Sequence, residues 1–80
     1  MLLKVLSAEK TLYSENVTQV RFPGIDGTFT VLKNHAPMVA QLKKGNLIVI
    51  PEGSNTKQNL EISGGLARVL DNEILVLTGI

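Results

Sequence analysis

The residues able to do chemistry in this 80-residue chain are few, and they stand apart. His35 is the only histidine and there is no cysteine, so a metal site lacks the second His or the thiolates it would need. As a general base His35 would need a nucleophile or an orienting carboxylate beside it, and no such motif accompanies it. Asn34-His35-Ala36-Pro37 reads instead as a capped turn. Gly64-Gly65 could cradle a phosphate only within a longer glycine-rich run that carries a Lys and opens a helix. Strand-like segments flank the pair, which points to a bulge or a close backbone approach. Lys43-Lys44 precede Gly45, and a lysine on a hairpin tip is where lipoyl and biotinyl carrier domains hold their cofactor. Those carriers set the lysine in Asp-Lys-Ala or Met-Lys-Met, whereas Leu-Lys-Lys-Gly reads as a solvated turn. The carboxylates are spread singly. Catalytic residues, cofactors and metals are therefore expected to be absent, which leaves binding.

The elements that must position any binding surface are short strands. Turn signals recur at Ser14-Glu15-Asn16, Pro23-Gly24, Asp26-Gly27, Lys33-Asn34, Lys44-Gly45-Asn46, Pro51 to Asn55, Gly64-Gly65 and Asp71-Asn72. Between them lie pieces of about four to eight residues rich in Val, Ile, Leu, Phe and Thr. Thr18, Val20 and Phe22 alternate with Gln19 and Arg21, and Leu60 and Ile62 with Glu61 and Ser63, the period of a half-buried strand. No window sustains helical spacing. Asp26-Gly27 and Asp71-Asn72 are residues that accept the positive φ angles of tight hairpin turns. The expected fold class is all-β, a small β-sandwich, with residues 1–80 forming one domain.

Composition narrows the partners. Eight Lys and Arg balance seven Asp and Glu for a net charge of +1, and the basic residues are scattered, so nothing steers the chain to nucleic acid or anionic lipid. Lys4 and Glu9 interrupt the N-terminal apolar stretch too early for a signal peptide. Apolar runs such as Ile74–Leu77 fall far short of the roughly 20 residues of a spanning helix. Yet 44% of the residues are hydrophobic. Leu47-Ile48-Val49-Ile50 and Ile74-Leu75-Val76-Leu77 are apolar on both faces, and Leu2-Leu3 and Val5-Leu6 come close. A two-layer domain of this size cannot cover the outer face of such strands from within, so a protein partner is expected to do so.

Three segments taken together carry a resemblance. LSAEKTLYSENV, then PGIDGTFTVLKNHAP from Pro23 to Pro37, then ISGGLARVLDNEILVL follow in an order and spacing similar to those of the N-terminal domain of the F-type ATP synthase epsilon subunit. The match runs over essentially the whole chain. It implies a β-sandwich of about ten short strands in two sheets, a non-catalytic rotor subunit between the gamma subunit and the c-ring, helping to couple proton-driven rotation to ATP synthesis. It implies a peripheral position at the cytoplasmic face of an energy-transducing membrane, reached only through the complex. Carried over by position, Ser7, His35, Ala36, Met38 and Leu42 are expected to face gamma, and Asp26, Gly27 and Thr28 the c-ring. Relatives often carry a polar residue at the position of Ile48. This assigns Leu47 and Val49 to the core and turns Ile48 outward, toward gamma or solvent. Two departures stand out. Thr30 occupies a position where the family usually has Gly, and the sequence ends at Ile80 where many relatives continue into a two-helix hairpin.

Overall fold

A computed structural model describes residues 1–79, and Ile80, where the sequence ends, lies outside them. The described residues form eight strands and no helix: β1 (Leu2–Leu6), β2 (Thr11–Gly24), β3 (Gly27–Leu32), β4 (Met38–Leu42), β5 (Gly45–Pro51), β6 (Gln58–Ile62), β7 (Gly65–Leu70) and β8 (Glu73–Thr78). Hydrogen bonding links all eight in the order β1-β8-β7-β4-β2-β5-β6, with β3 alongside β2 and a further β1–β2 pairing. β1 runs parallel to β8, and the other pairs are antiparallel.

β2 makes this network a sandwich. Its first half pairs with β1, from Leu6↔Thr11 to Leu2↔Asn16. Its second half pairs with β3 and β5, with Val20 opposite both Val31 and Val49. The change of partner coincides with a bulge between Val17 and Gln19, where Thr18 donates its hydroxyl to the Ile50 carbonyl at 3.2 Å. A bulge bends its strand, and here it carries the chain from one layer to the other. One layer is β4-β7-β8-β1 with the start of β2, and the other is β3, the end of β2, β5 and β6. Lys43 N donates to Pro23 O and Ile25 N to Gln41 O, tying β4 to the far end of β2.

Alternation along each strand fills the space between the layers. Leu3, Val20, Phe22, Val31, Leu47, Val49, Ile74 and Val76 are wholly excluded from solvent. Each such side chain contributes about 1.5–3 kcal/mol when fully buried. Phe22 stacks on Phe29 at a centroid distance of 5.1 Å. Val49 and Leu47 point inward while Ile48 and Ile50 are half-exposed, as expected for that strand.

The tight turns follow residue chemistry. Asp71 and Asn72, at φ 52° and 61°, form a two-residue turn between the paired Leu70 and Glu73. Gly65, at φ 141°, lies so close to Leu77 that an added Cβ would collide with its carbonyl oxygen, the close backbone approach that Gly64-Gly65 suggests. Thr30 sits in an ordinary strand conformation opposite Arg21, so no special backbone angle is required of it.

Three expectations need correction. The described residues make eight strands, not about ten, in part because β2 is one 14-residue strand serving both layers. Ser14-Glu15-Asn16 is not a turn but the part of β2 paired to β1, and its side chains read as a loop because all three are exposed. Finally, the tip of the β2–β3 hairpin consists of Ile25 and Asp26, between the paired Gly24 and Gly27, and only Gly27 takes a positive φ, of 128°.

Candidate docking surfaces

The outer face of the β4-β7-β8-β1 layer is built from the residues that alternate with the core. Strand pairing sets them in rows: Val39, Arg68, Leu75, Lys4 and Ser14 form one, and Gln41, Leu66, Leu77 and Leu6 the next. Leu70, Glu73, Leu2 and Asn16 make a third. Residues that share a row and a face are close enough for their side chains to touch. Val39 is 69% exposed, and Leu66, Leu70 and Leu77 are 43–47% exposed. With Leu2, Leu6 and Leu75 half-buried among them, they form a leucine-rich face interrupted by Lys4, Arg68 and Glu73.

The outer face of the other layer is more polar. Gln19, Arg21, Thr28, Thr30, Asn46, Asn59 and Glu61 are on it, together with Leu32 and the half-exposed Ile48 and Ile50. Ile48 lies opposite Arg21 in the ladder, so a cationic side chain flanks it.

The predicted contact residues do not form one patch. Ser7 is half-buried in the β1–β2 link, where its hydroxyl donates to Lys10 O at 3.2 Å, just past the Leu6 end of the leucine face. His35 and Ala36 are exposed in the β3–β4 loop, with His35 Nδ1 2.7 Å from Ala36 O. Met38 packs against the core at the start of β4, beside Val39. These four border the leucine face at its two ends. Leu42 does not join them, because it is 3% exposed and its side chain belongs to the core. Ile48 is on the opposite layer. Asp26, Gly27 and Thr28 are exposed together at the tip of the β2–β3 hairpin. Sequence reading picked out the doubly apolar β1 and β8 but passed over Val39, Leu66 and Leu70. The signal was Leu66 and Leu70, two of the three outward members of Leu66-Ala67-Arg68-Val69-Leu70, where a strand facing water would carry polar residues as it does at Arg68.

A groove of about 560 Å³ opens between the two layers beside β6, with Val5, Lys10, Tyr13, Leu60, Glu61 and Ile62 among its walls. Partial burial, and secondarily the charge of Glu15, hold the Tyr13 phenol above its ordinary range. Its hydroxyl lies 3.5 Å from Gln58 Oε1. Among the described residues no three His, Asp or Glu side chains gather to hold a metal ion, and no helix is long and apolar enough to cross a membrane. Lys43 and Lys44 link β4 in one layer to β5 in the other rather than capping a hairpin, which removes the geometric basis of a carrier lysine.

Comparison with known proteins gives this architecture its relatives. A family model described as "ATP synthase, Delta/Epsilon chain, beta-sandwich domain" matches residues 1–79. The ATP synthase epsilon chain of Rhodopseudomonas palustris (strain BisA53) is 42% identical over 76 residues, covering 95% of this chain and 55% of that protein. The epsilon chain of Chlorobium limicola is 34% identical over 95% of this chain and 85% of its own length. This chain thus spans little more than half the length of several of the curated relatives it matches. Among solved structures, a chain of the Euglena gracilis mitochondrial ATP synthase OSCP/F1/c-ring assembly superposes with a TM-score of 0.88 at 30% identity, covering 98% of this chain and 49% of that one. A chain of the Tetrahymena thermophila mitochondrial ATP synthase central stalk and c-ring shares the fold at a TM-score of 0.83 and 15% identity, over 100% of this chain and 63% of that one.

Proposed function

Because this chain belongs to the family of the ATP synthase delta/epsilon chain β-sandwich domain, we propose that it serves as a non-catalytic rotor component of an F-type ATP synthase. In this reading it binds the gamma subunit and the c-ring, and it helps to couple proton-driven rotation to ATP synthesis. It reaches the membrane only through the complex, at the cytoplasmic face. The observation that carries the reading is the leucine-rich outer face of the β4-β7-β8-β1 layer, which no part of the described chain covers. Gamma docks there, with Ser7 at one end and His35, Ala36 and Met38 at the other, while Leu42 supports the face from within. The Ile25–Gly27 tip and Thr28 meet the polar loops of the c-ring.

The test is a titration of the folded chain with its matching gamma subunit. A one-to-one complex with a Kd of about 1 μM or tighter is expected, near −8 kcal/mol or stronger. Replacing Val39 and Leu66 together by Glu should raise the Kd at least ~10-fold, since charges inserted in an apolar contact lose its anchors. If that variant binds normally while Ile48→Asp does not, gamma sits on the other layer.

A further inference from the structure

Only one of the chain's two aspartates is followed by glycine, Asp26 before Gly27, and none of its six asparagines is. The other aspartate, Asp71, precedes Asn72. Asp26 stands at the tip of the β2–β3 hairpin, where the ladder has ended at the Gly24–Gly27 pair, and both Asp26 and Gly27 are exposed. Gly27 takes a φ of 128°, and a Cβ built on it would meet no atom within 4 Å. The tip therefore stands open to solvent around Gly27.

We infer that Asp26 is a site of spontaneous isoaspartate formation. The Gly27 main-chain nitrogen attacks Asp26 Cγ, forming a C–N bond. The C–OH bond of the carboxyl group breaks, and the hydroxyl departs with the amide proton as water. The product is a five-membered succinimide. Water then adds to one of its two carbonyl carbons, and the C–N bond at that carbon breaks, returning a proton to nitrogen. Opening at Cγ restores aspartate. Opening at the main-chain carbonyl leaves the chain running through the side-chain carboxyl, with one extra methylene in the backbone and a free α-carboxylate. Two features favour residue 26 over residue 71. Glycine has no side chain to obstruct the attacking nitrogen or to restrict the rotation that brings it in. At residue 71 the corresponding nitrogen belongs to Asn72, whose side chain does both. The consequence is a covalent mark of age at the hairpin tip, which lengthens a two-residue turn whose register depends on its length.

The experiment is prolonged incubation of the folded chain at neutral pH, followed by tryptic digestion. Trypsin places Asp26 in the peptide Phe22–Lys33 and Asp71 in a separate peptide starting at Val69. Isoaspartate is read as an isobaric second chromatographic peak and as methyl groups accepted from an isoaspartyl methyltransferase. The Phe22–Lys33 peptide is expected to acquire both signals while the Asp71 peptide stays single. Asp26→Asn should accelerate the change, since ammonia leaves more readily than hydroxide. Asp26→Glu should abolish it, since the larger imide ring closes far more slowly. Wild-type signal no greater than that of Asp26→Glu, or equal signal on the Asp71 peptide, would overturn the inference.

Discussion

At the scale of single residues, the two faces of β5 give the plainest contrast. Val49 is wholly buried and Ile48 half-exposed, one position apart. Forcing a carboxylate into the Val49 site forfeits about 1.5–3 kcal/mol of burial and adds a desolvation penalty of several more. An 80-residue domain holds about 4–12 kcal/mol in all, at ~0.05–0.15 kcal/mol per residue. Val49→Asp is therefore expected to unfold most molecules, whereas Ile48→Asp shifts stability by about 1 kcal/mol or less. Denaturant melts of the two variants check this, and the reverse result would invert the assignment of faces. Glycine positions divide in a similar way. Gly65 and Gly27 both have positive φ, but only at Gly65 would a methyl group strike backbone, the Leu77 carbonyl. Gly27→Ala suffers only the conformational penalty, about 1–2 kcal/mol, and Gly65→Ala should cost clearly more. Equal midpoints in urea would show that the β7–β8 contact yields without strain.

At the scale of elements, the hairpins set the register on which both faces depend. Asp71 and Asn72 sit in the left-handed region that a two-residue turn matching the twist of β7 and β8 requires. A β-branched residue resists that region by about 1–2 kcal/mol, so Asn72→Val should lower stability by that amount, as a chemical melt would read. If no change is seen, the strands rather than the turn set the register of the pair. β2 works differently. Its bulge at Val17–Gln19 lets one strand pair with β1 along half its length and with β3 and β5 along the rest. That single bent strand carries the chain between the layers, so the leucine face and the polar face look away from each other.

At the scale of the whole molecule, the two ends of the sandwich differ. The Val17↔Pro51 and Gly24↔Gly27 pairs lie seven residues apart along β2, which separates the loop holding Asn55 from the Ile25–Asp26 tip by about 23 Å at ~3.3 Å per residue. If the tip faces the c-ring, a cysteine at Thr28 should cross-link to a c-subunit polar loop in the assembled enzyme, and one at Asn55 should do so poorly. Gel analysis of the cross-linked products decides it, and equal yields would remove this orientation.

Much of this was legible in the residues alone. Alternation over Thr18–Phe22 and Leu60–Ile62, and turn chemistry at Asp71-Asn72, are local properties, because side chains on a strand must alternate and only certain residues accept positive φ. The sequence therefore determined an all-β domain, and the ordered motifs determined its family. Which apolar residues share a surface was not local. Val39, Leu66, Leu77 and Leu6 come from four strands, and only the pairing of β4, β7, β8 and β1 sets them in adjacent rows. Leu42 looks like a contact residue in sequence, and the inward face of β4 makes it core. Ser14-Glu15-Asn16 looks like a turn, and pairing to β1 makes it strand. Tertiary structure decided these cases because a side chain's face depends on which strands flank its own and on where a bulge resets the alternation.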